Sequence, residues 1–318
     1  MLLNESLIDS RRLSDIRSVS IRHGVEVYQA NDSGHKVAIK LFSKDKKDNY
    51  QHENNILQQL SKKNSKVPKL LEFGEKKGTS FLITEWWEGE PLSHTFHNLG
   101  YQNKLETLVS LGGLLGELQF DLNYNDLATS DFWKRSADDR IDTYTWVNYV
   151  EKIVAKCTKR LRLTEEDLLD GIDVIVDQII TEASQMNEPN QITLLHTDYT
   201  LRNILTRDCE FLIIDFESVM IGDPMYDLAK MTWVDFGVEE RPFIDAFVEG
   251  WERQTKVKVD LALLTFYQLV YCLASISWVD KLPNPNDDNL LFRNKARSTM
   301  KYLFNKSRCN KMTCSHES

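Results

Sequence analysis

Between Leu194 and Lys230 the chain reads LLHTDYTLRNILTRDCEFLIIDFESVMIGDPMYDLAK, and three of its side chains could share one piece of chemistry. Asp198, Asn203 and Asp215 present hard oxygen atoms within eighteen residues. Mg2+ favours such ligands, commonly one or two carboxylates completed by nucleotide phosphates and water. Movement of a phosphoryl group to an alcohol requires that kind of cation, a positioned donor, and a carboxylate that takes the hydroxyl proton. On this reading Asn203 and Asp215 are metal ligands. Asp198, ionised at neutral pH with an ordinary pKa of about 3.9, is the base.

The elements around these residues decide whether they can meet. Asp198 and Asn203 are five positions apart, which on a helix puts them about 140° apart, so joint action requires a loop. Asn203-Ile204-Leu205 turns apolar and β-prone, Arg207-Asp208 reads as a turn, and Phe211–Ile214 is a second short strand ending at Asp215. A hairpin of this kind returns Asp215 to the neighbourhood of Asp198 and Asn203. The competing reading is an ordinary polar loop, since Asp and Asn are common there. Against it stand Asp215-Phe216-Glu217 and Gly222-Asp223-Pro224-x-x-Asp227-Leu228-Ala229, which follow in order at short spacing.

With these residues the chain resembles the aminoglycoside phosphotransferase and choline kinase superfamily, whose fold is protein-kinase-like. The carrying motifs are His196-x-Asp198-x4-Asn203, the Asp215-Phe216-Glu217 metal motif, and Gly222–Ala229. The resemblance implies an α+β, two-lobed fold with a small antiparallel β N-lobe bearing one helix and a larger, mainly helical C-lobe. It implies Asp198 as catalytic base, Asn203 and Asp215 as Mg2+ ligands, His196 as a brace, and Asp223 and Asp227 as structural carboxylates. ATP or GTP would be the phosphoryl donor. One departure is Gln119, where the family often has His in Leu115-Gly116-Glu117-Leu118-Gln119; it reads as a structural position.

Upstream, Val37-Ala38-Ile39-Lys40 resembles the strand lysine of kinase-like folds. Alternation places Ala38, Lys40 and Phe42 on one face, so Ala38 would admit adenine and Lys40 would reach the phosphates. Glu53, thirteen residues on in the helical pattern Asn49–Leu60, is the expected carboxylate partner of Lys40. The alternative is a strand-end lysine and a helix glutamate, both in solvent. No GxGxxG and no GxxxxGK[ST] occurs; Gly24 is the candidate for a degenerate phosphate-covering loop. The resemblance further implies that backbone groups at Glu85, Trp86 and Trp87 bind adenine at a hinge, with Leu205 and Ile214 closing the purine pocket.

Composition bounds the function. The 318 residues are 42% apolar and carry a net charge of −9, which disfavours nucleic acid as a partner and suits a cationic small molecule. Five scattered cysteines suggest no disulfide framework, and a cytoplasmic location is expected. The opening MLLNESLIDSRR is too charged for a signal peptide. Leu261–Val279 lacks formal charge, yet its polar residues point to a buried core helix and no membrane span.

Residues 1–87 are expected to form the nucleotide-covering lobe, 88–304 the catalytic and substrate lobe, and 305–318 a disordered tail. Gly112-Gly113 within the leucine-rich stretch Leu105–Leu118 reads as close helix packing. The leading acceptor is an aminoglycoside-like polyamine sugar; choline, a macrolide, another sugar or an amino alcohol are alternatives. Asp235, Glu239, Glu240, Asp245, Glu249 and Asp280 are candidate ammonium ligands, set against an ordinary solvated face. A protein kinase is disfavoured because no APE-terminated activation segment follows Asp215. An inactive nucleotide-binding module is the rival from another class, and the presence of Lys40, Glu53, Asp198, Asn203 and Asp215 together weighs against it.

Overall fold

The computed structural model describes residues 13–22, 24–121 and 145–314, with side chains described to residue 307. Two compact units interleave along the chain. One comprises Met1–Gly100, Glu117–Ala137 and His196–Met220; the other comprises Tyr101–Gly116, Asp138–Leu195 and Ile221–Ser318. This departs from the chain-order division expected at residues 87 and 88. The segment with the HxDx4N motif groups with the first unit, where Ile213 N–H donates to the Lys66 carbonyl, in the loop before Leu70, at 2.8 Å.

The first unit is built on an antiparallel sheet of β1 (Leu13–Arg22), β2 (Val25–Asp32), β3 (His35–Phe42), β4 (Leu70–Lys76) and β5 (Thr79–Glu85), in the order β1-β2-β3-β5-β4. Strand period decides which residues make the core. Val37, Ile39 and Leu41 pack with Tyr28, Ala30, Phe81 and Ile83, which leaves Ala38 and Lys40 on the other face. Tight hairpins follow from residues that accept positive φ: Ser33-Gly34 joins β2 to β3, and Lys77-Gly78 joins β4 to β5. Helix α1 (Lys47–Leu60) buries Ile56, Leu57 and Leu60, and on the same helix Glu53. A second sheet orders β6 (Glu90–Pro91), β8 (Ile204–Arg207) and β9 (Glu210–Ile213), the short strand β7 (Thr193–Leu195) lying outside it, with Asp208 and Cys209 at φ 48° and 65° in the β8–β9 turn. That is the hairpin read from the sequence.

The second unit is mainly helical. Along α2 (Tyr101–Phe120), Leu108, Leu111 and Leu115 are fully buried. A Cβ at Gly112 would strike the Phe247 carbonyl, and one at Gly250 would strike that of Val109. Glycine therefore lets α2 cross α7 (Arg241–Thr255) backbone to backbone, as the glycine pair suggested. Among the described residues, four helices lie between these in sequence: α3 (Trp146–Thr158), α4 (Glu165–Leu169), α5 (Ile172–Ser184) and α6 (Met225–Met231). Thr164 and Asp167 close a capping box at the start of α4. Helix α8 (Leu261–Lys281) is long and apolar enough to cross a membrane by composition, but most of it is packed inside this unit.

Two expectations are corrected here. The last helix, α9 (Asp287–Cys314), continues through residues expected to be an irregular tail from 305 onward. Its buried Ala296, Met300, Leu303 and Phe304 anchor it, and beyond them no Pro or Gly stops propagation. Asp280, a candidate ammonium ligand, is buried against Arg293 at 2.8 Å and accepts the Arg162 N–H at 2.7 Å. Asp245 pairs with Arg241 and Glu249 with Arg253 on the α7 surface. Trp233 and Trp251 are core, whereas Trp278 is half-exposed beside Phe292.

Candidate active site

Lys40 is the centre of the site, and β3 alternation aims it away from the core. Its Nζ lies 2.7 Å from Glu53 Oε2, 2.7 Å from Asp215 Oδ1 and 3.9 Å from Glu217 Oε2. The aliphatic face is closed by Phe42, whose ring centroid is 5.4 Å from the ammonium. Burial pushes the Lys40 pKa down, but the carboxylates of Glu53, Asp215 and Glu217 overcome it and the group ends above its ordinary value. One ammonium cannot neutralise three carboxylates. Burial, opposed by Lys40 and reinforced by Asp215, raises Glu53 to about 7. Asp215 goes the other way: burial would raise it, yet Lys40 holds it below the ordinary range.

The hairpin delivers the other end of the site. Asn203 closes the one-turn helix Leu201–Asn203 just before β8, and its carbonyl accepts the Ile214 N–H at 2.9 Å across the hairpin. Asn203 Nδ2 donates to Asp198 twice, to its main-chain oxygen at 2.9 Å and to Oδ2 at 2.8 Å. The amide oxygen Oδ1 retains acceptor capacity toward a cation.

His196 braces this loop. Its Nε2 is 3.0 Å from the Ile214 carbonyl, which only accepts, so Nε2 carries the proton. Nδ1 is then the acceptor for the Asp198 N–H at 3.3 Å. The imidazole also meets the Phe216 ring edge-on at 5.0 Å, and Thr197 Oγ1 donates to the Ser218 carbonyl at 2.8 Å. Thr197 and Asp215 both adopt positive φ, 63° and 70°. Such backbone is strained for a β-branched residue and persists where surrounding bonds enforce it, a pattern concentrated at functional sites.

The residues expected to bind the nucleobase are less uniform. Ala38 is half-buried on the Lys40 face, and Leu205 and Ile214 are half-buried on the hairpin. Glu85 N–H is spent on the Lys69 carbonyl and Trp86 N–H on that of Lys36. Both N–H groups thus extend the sheet pairing. Trp87 remains half-buried, with the Arg207 guanidinium 5.1 Å from its ring. Gly24 sits in the β1–β2 turn at φ +82°, where a Cβ would also strike Ser43 Oγ, so turn geometry alone requires the glycine.

Two residues went unassigned from the sequence. Glu217 forms, with Glu53 and Asp215, a cluster whose ligand oxygens lie within 4.8 Å of one another. Its signal was the third letter of the Asp215-Phe216-Glu217 motif. Arg202 bonds Asp198 by Nη2, at 3.3 Å to Oδ1 and 3.1 Å to Oδ2; nothing in spacing alone marked it. In the second unit Asp223 accepts the Met225 N–H at 2.9 Å and the Tyr267 hydroxyl at 3.0 Å. Tyr267 in turn accepts from Trp146 Nε1 at 2.7 Å. Burial raises Asp223 above the ordinary carboxylate range, as befits a structural carboxylate.

A family model described as the phosphotransferase enzyme family matches residues 15–262. Among solved structures, a thermostable mutant of aminoglycoside phosphotransferase APH(4)-Ia, in ternary complex with ADP and hygromycin B, superimposes with a TM-score of 0.65 at 14% identity, covering 95% of this chain and 98% of that one. Spectinomycin phosphotransferase APH(9)-Ia, in complex with ADP and spectinomycin, gives 0.63 at 15% identity over 94% and 97%. An aminoglycoside-3'-phosphotransferase of type VIII gives 0.56 at 24% identity over 84% and 97%. No curated protein matches the sequence. At these identities the likeness to solved structures is a likeness of fold, and the fold is the kinase-like one expected.

Proposed function

We propose that this chain, which belongs to the phosphotransferase enzyme family, moves the γ-phosphoryl group of ATP or GTP to a hydroxyl of a small molecule, with an aminoglycoside-like antibiotic as the leading acceptor. The observation that carries the reading is Lys40 bonded at once to Glu53 and to Asp215. Glu53 holds the ammonium charged and aimed where the nucleotide phosphates would lie. Asp215 and Glu217 lie in one carboxylate cluster with Glu53, and the Asn203 amide oxygen would complete a hard oxygen set suited to Mg2+. When bound, that ion would neutralise charge on the phosphate oxygens.

Asp198 takes the proton as the acceptor oxygen forms its bond to phosphorus and the bond from phosphorus to the β–γ bridging oxygen breaks, releasing the nucleoside diphosphate. Asn203 and His196 position Asp198 from both sides of the loop. The cationic acceptor is supported by the net charge of −9 and by neighbours solved with hygromycin B and spectinomycin. Buried unpaired thiols at Cys157 and Cys272 suit a reducing, cytoplasmic setting.

A screen of phosphoryl transfer from Mg2+-ATP and Mg2+-GTP to aminoglycosides, macrolides, choline and simple sugars tests the reading. Removal of a general base typically costs about 10²–10⁴-fold, so Asp198→Ala should lose transfer by that factor. Equal activity of wild type and Asp198→Ala across the panel would mean that no such enzyme is present. Transfer to choline or a macrolide alone would replace the leading acceptor and keep the chemistry.

A further inference from the structure

We propose that Arg202 is a γ-phosphate ligand that doubles as a latch on the base: its guanidinium holds Asp198 while no nucleotide is bound and passes to the γ-phosphate when one is. The inference rests on the phosphotransferase reading of this site. Four observations carry it. Arg202 engages both carboxylate oxygens of Asp198, at 3.1 and 3.3 Å, which places its guanidinium directly beside the base. Its neighbours Leu201 and Asn203 are buried while the Arg202 side chain is 55% exposed, so the short helix turns this residue outward with the base. An exposed ion pair of this kind contributes little to stability and exchanges readily. A guanidinium fork suits a phosphate at least as well as a carboxylate.

Lys40 shows the same logic at the other end of the site. There the ammonium holds Asp215 at 2.7 Å, although the reaction needs the lysine on phosphate and the carboxylate on metal. Each functional carboxylate is thus paired with a cation that the nucleotide would claim. The other arginine of the hairpin, Arg207, is committed to Glu210 at 3.1 Å and to the Trp87 ring. Of these two arginines, Arg202 is the one beside the base. Its transfer to the γ-phosphate would uncover Asp198 only when a transferable group is in place, and would disfavour activation of water in an empty site.

Binding measurements separate this from a surface ion pair. Calorimetry on the full chain with Mg2+ would compare ADP with an ATP analogue carrying an imido β–γ bridge. An arginine that touches only the γ-phosphate should favour the analogue over ADP by about tenfold more in wild type than in Arg202→Ala, the size of one charge-assisted hydrogen bond. Asp198→Asn should tighten analogue binding a few-fold by releasing the arginine, and should do nothing in an Arg202→Ala background. An unchanged analogue-to-ADP ratio in Arg202→Ala, with wild type binding both nucleotides, overturns the proposal and leaves the phosphotransferase reading standing. Wild-type protein that binds neither nucleotide overturns both.

Discussion

Around Lys40, one ammonium faces the carboxylates of Glu53, Asp215 and Glu217, a formal charge of minus two. In the helical unit, Arg293, Arg297 and Lys301 on α9 face Glu166, Asp167, Asp170 and Asp280, leaving only minus one. There the Arg162 N–H donates to Asp280 and the Thr164 N–H to Asp167, so carboxylate lone pairs are taken up as well. The pKa shifts follow the two plans. Glu53 is raised to about 7 because burial outweighs its share of one lysine. Asp167 is lowered: burial acts to raise it, but Arg293 and the Thr164 capping bonds prevail. A cluster that only holds helices together offsets most of its own charge, here chiefly with rigid guanidinium forks. The cluster at Lys40 leaves negative charge for a divalent cation and uses a lysine, a point charge that can move to phosphate.

The largest effect should come from breaking the closed cluster. Arg293→Ala leaves Asp167 and Asp280 buried with less compensation, which costs about 3–5 kcal/mol for a buried pair; urea denaturation would read it. Nucleotide affinity of the surviving folded fraction should not change, and a change would mean that the two clusters are not the separate devices described above. Next, Asp215→Asn should weaken Mg2+-dependent nucleotide binding by about 100-fold, roughly 2.7 kcal/mol, with little loss in melting temperature. Unaltered affinity by calorimetry would remove Asp215 from the metal site. Glu53→Gln should lower kcat/KM for the nucleotide by about tenfold, near 1.4 kcal/mol, since Lys40 keeps its other carboxylates. Loss of stability without a kinetic effect would make Glu53 a structural residue instead.

The smallest effect is on pH dependence without metal. The folded Glu53 pKa is raised, so its contribution is fully present below the ordinary value of 4.5 and is lost as pH rises through about 7. Asp167 is depressed, so its contribution holds above the ordinary carboxylate value and is lost as pH falls through its lower folded pKa. Glu53→Gln should therefore flatten the decline in stability between 4.5 and about 7 and leave the acid limb unchanged. A melting-temperature series over pH in the presence of a chelator checks both halves.

Much of the site could be read along the chain because it is made by local rules. Alternation in β3 put Ala38 and Lys40 on one face, opposite Val37, Ile39 and Leu41. Polar residues at 207 and 208 announced the turn that brings Asp215 back beside Asn203. The glycine pair at 112 and 113 announced a close helix approach, but not that Gly250 would be its counterpart. At the expected hinge, sheet pairing takes up the Trp86 N–H, one residue beyond the apolar strand pattern. The tail was misjudged because a polar segment after a buried helix face looks the same whether or not it continues the helix.

By itself the sequence determined the strands and turns, the family, and the chemistry available, because period, turn residues and motif spacing are local properties of the backbone. Tertiary structure decided how that charge is shared. Glu53 and Asp215 reach one ammonium from positions thirteen and 175 residues away from Lys40, and Glu217 joins them. The Glu53 pairing was expected from the helical pattern, whereas the arrival of Asp215 and Glu217 at the same ammonium depends on long-range packing and leaves no mark in any local window. Burial then sets which carboxylate is lowered and which is raised, since the cost of removing a charge from water depends on everything that surrounds it.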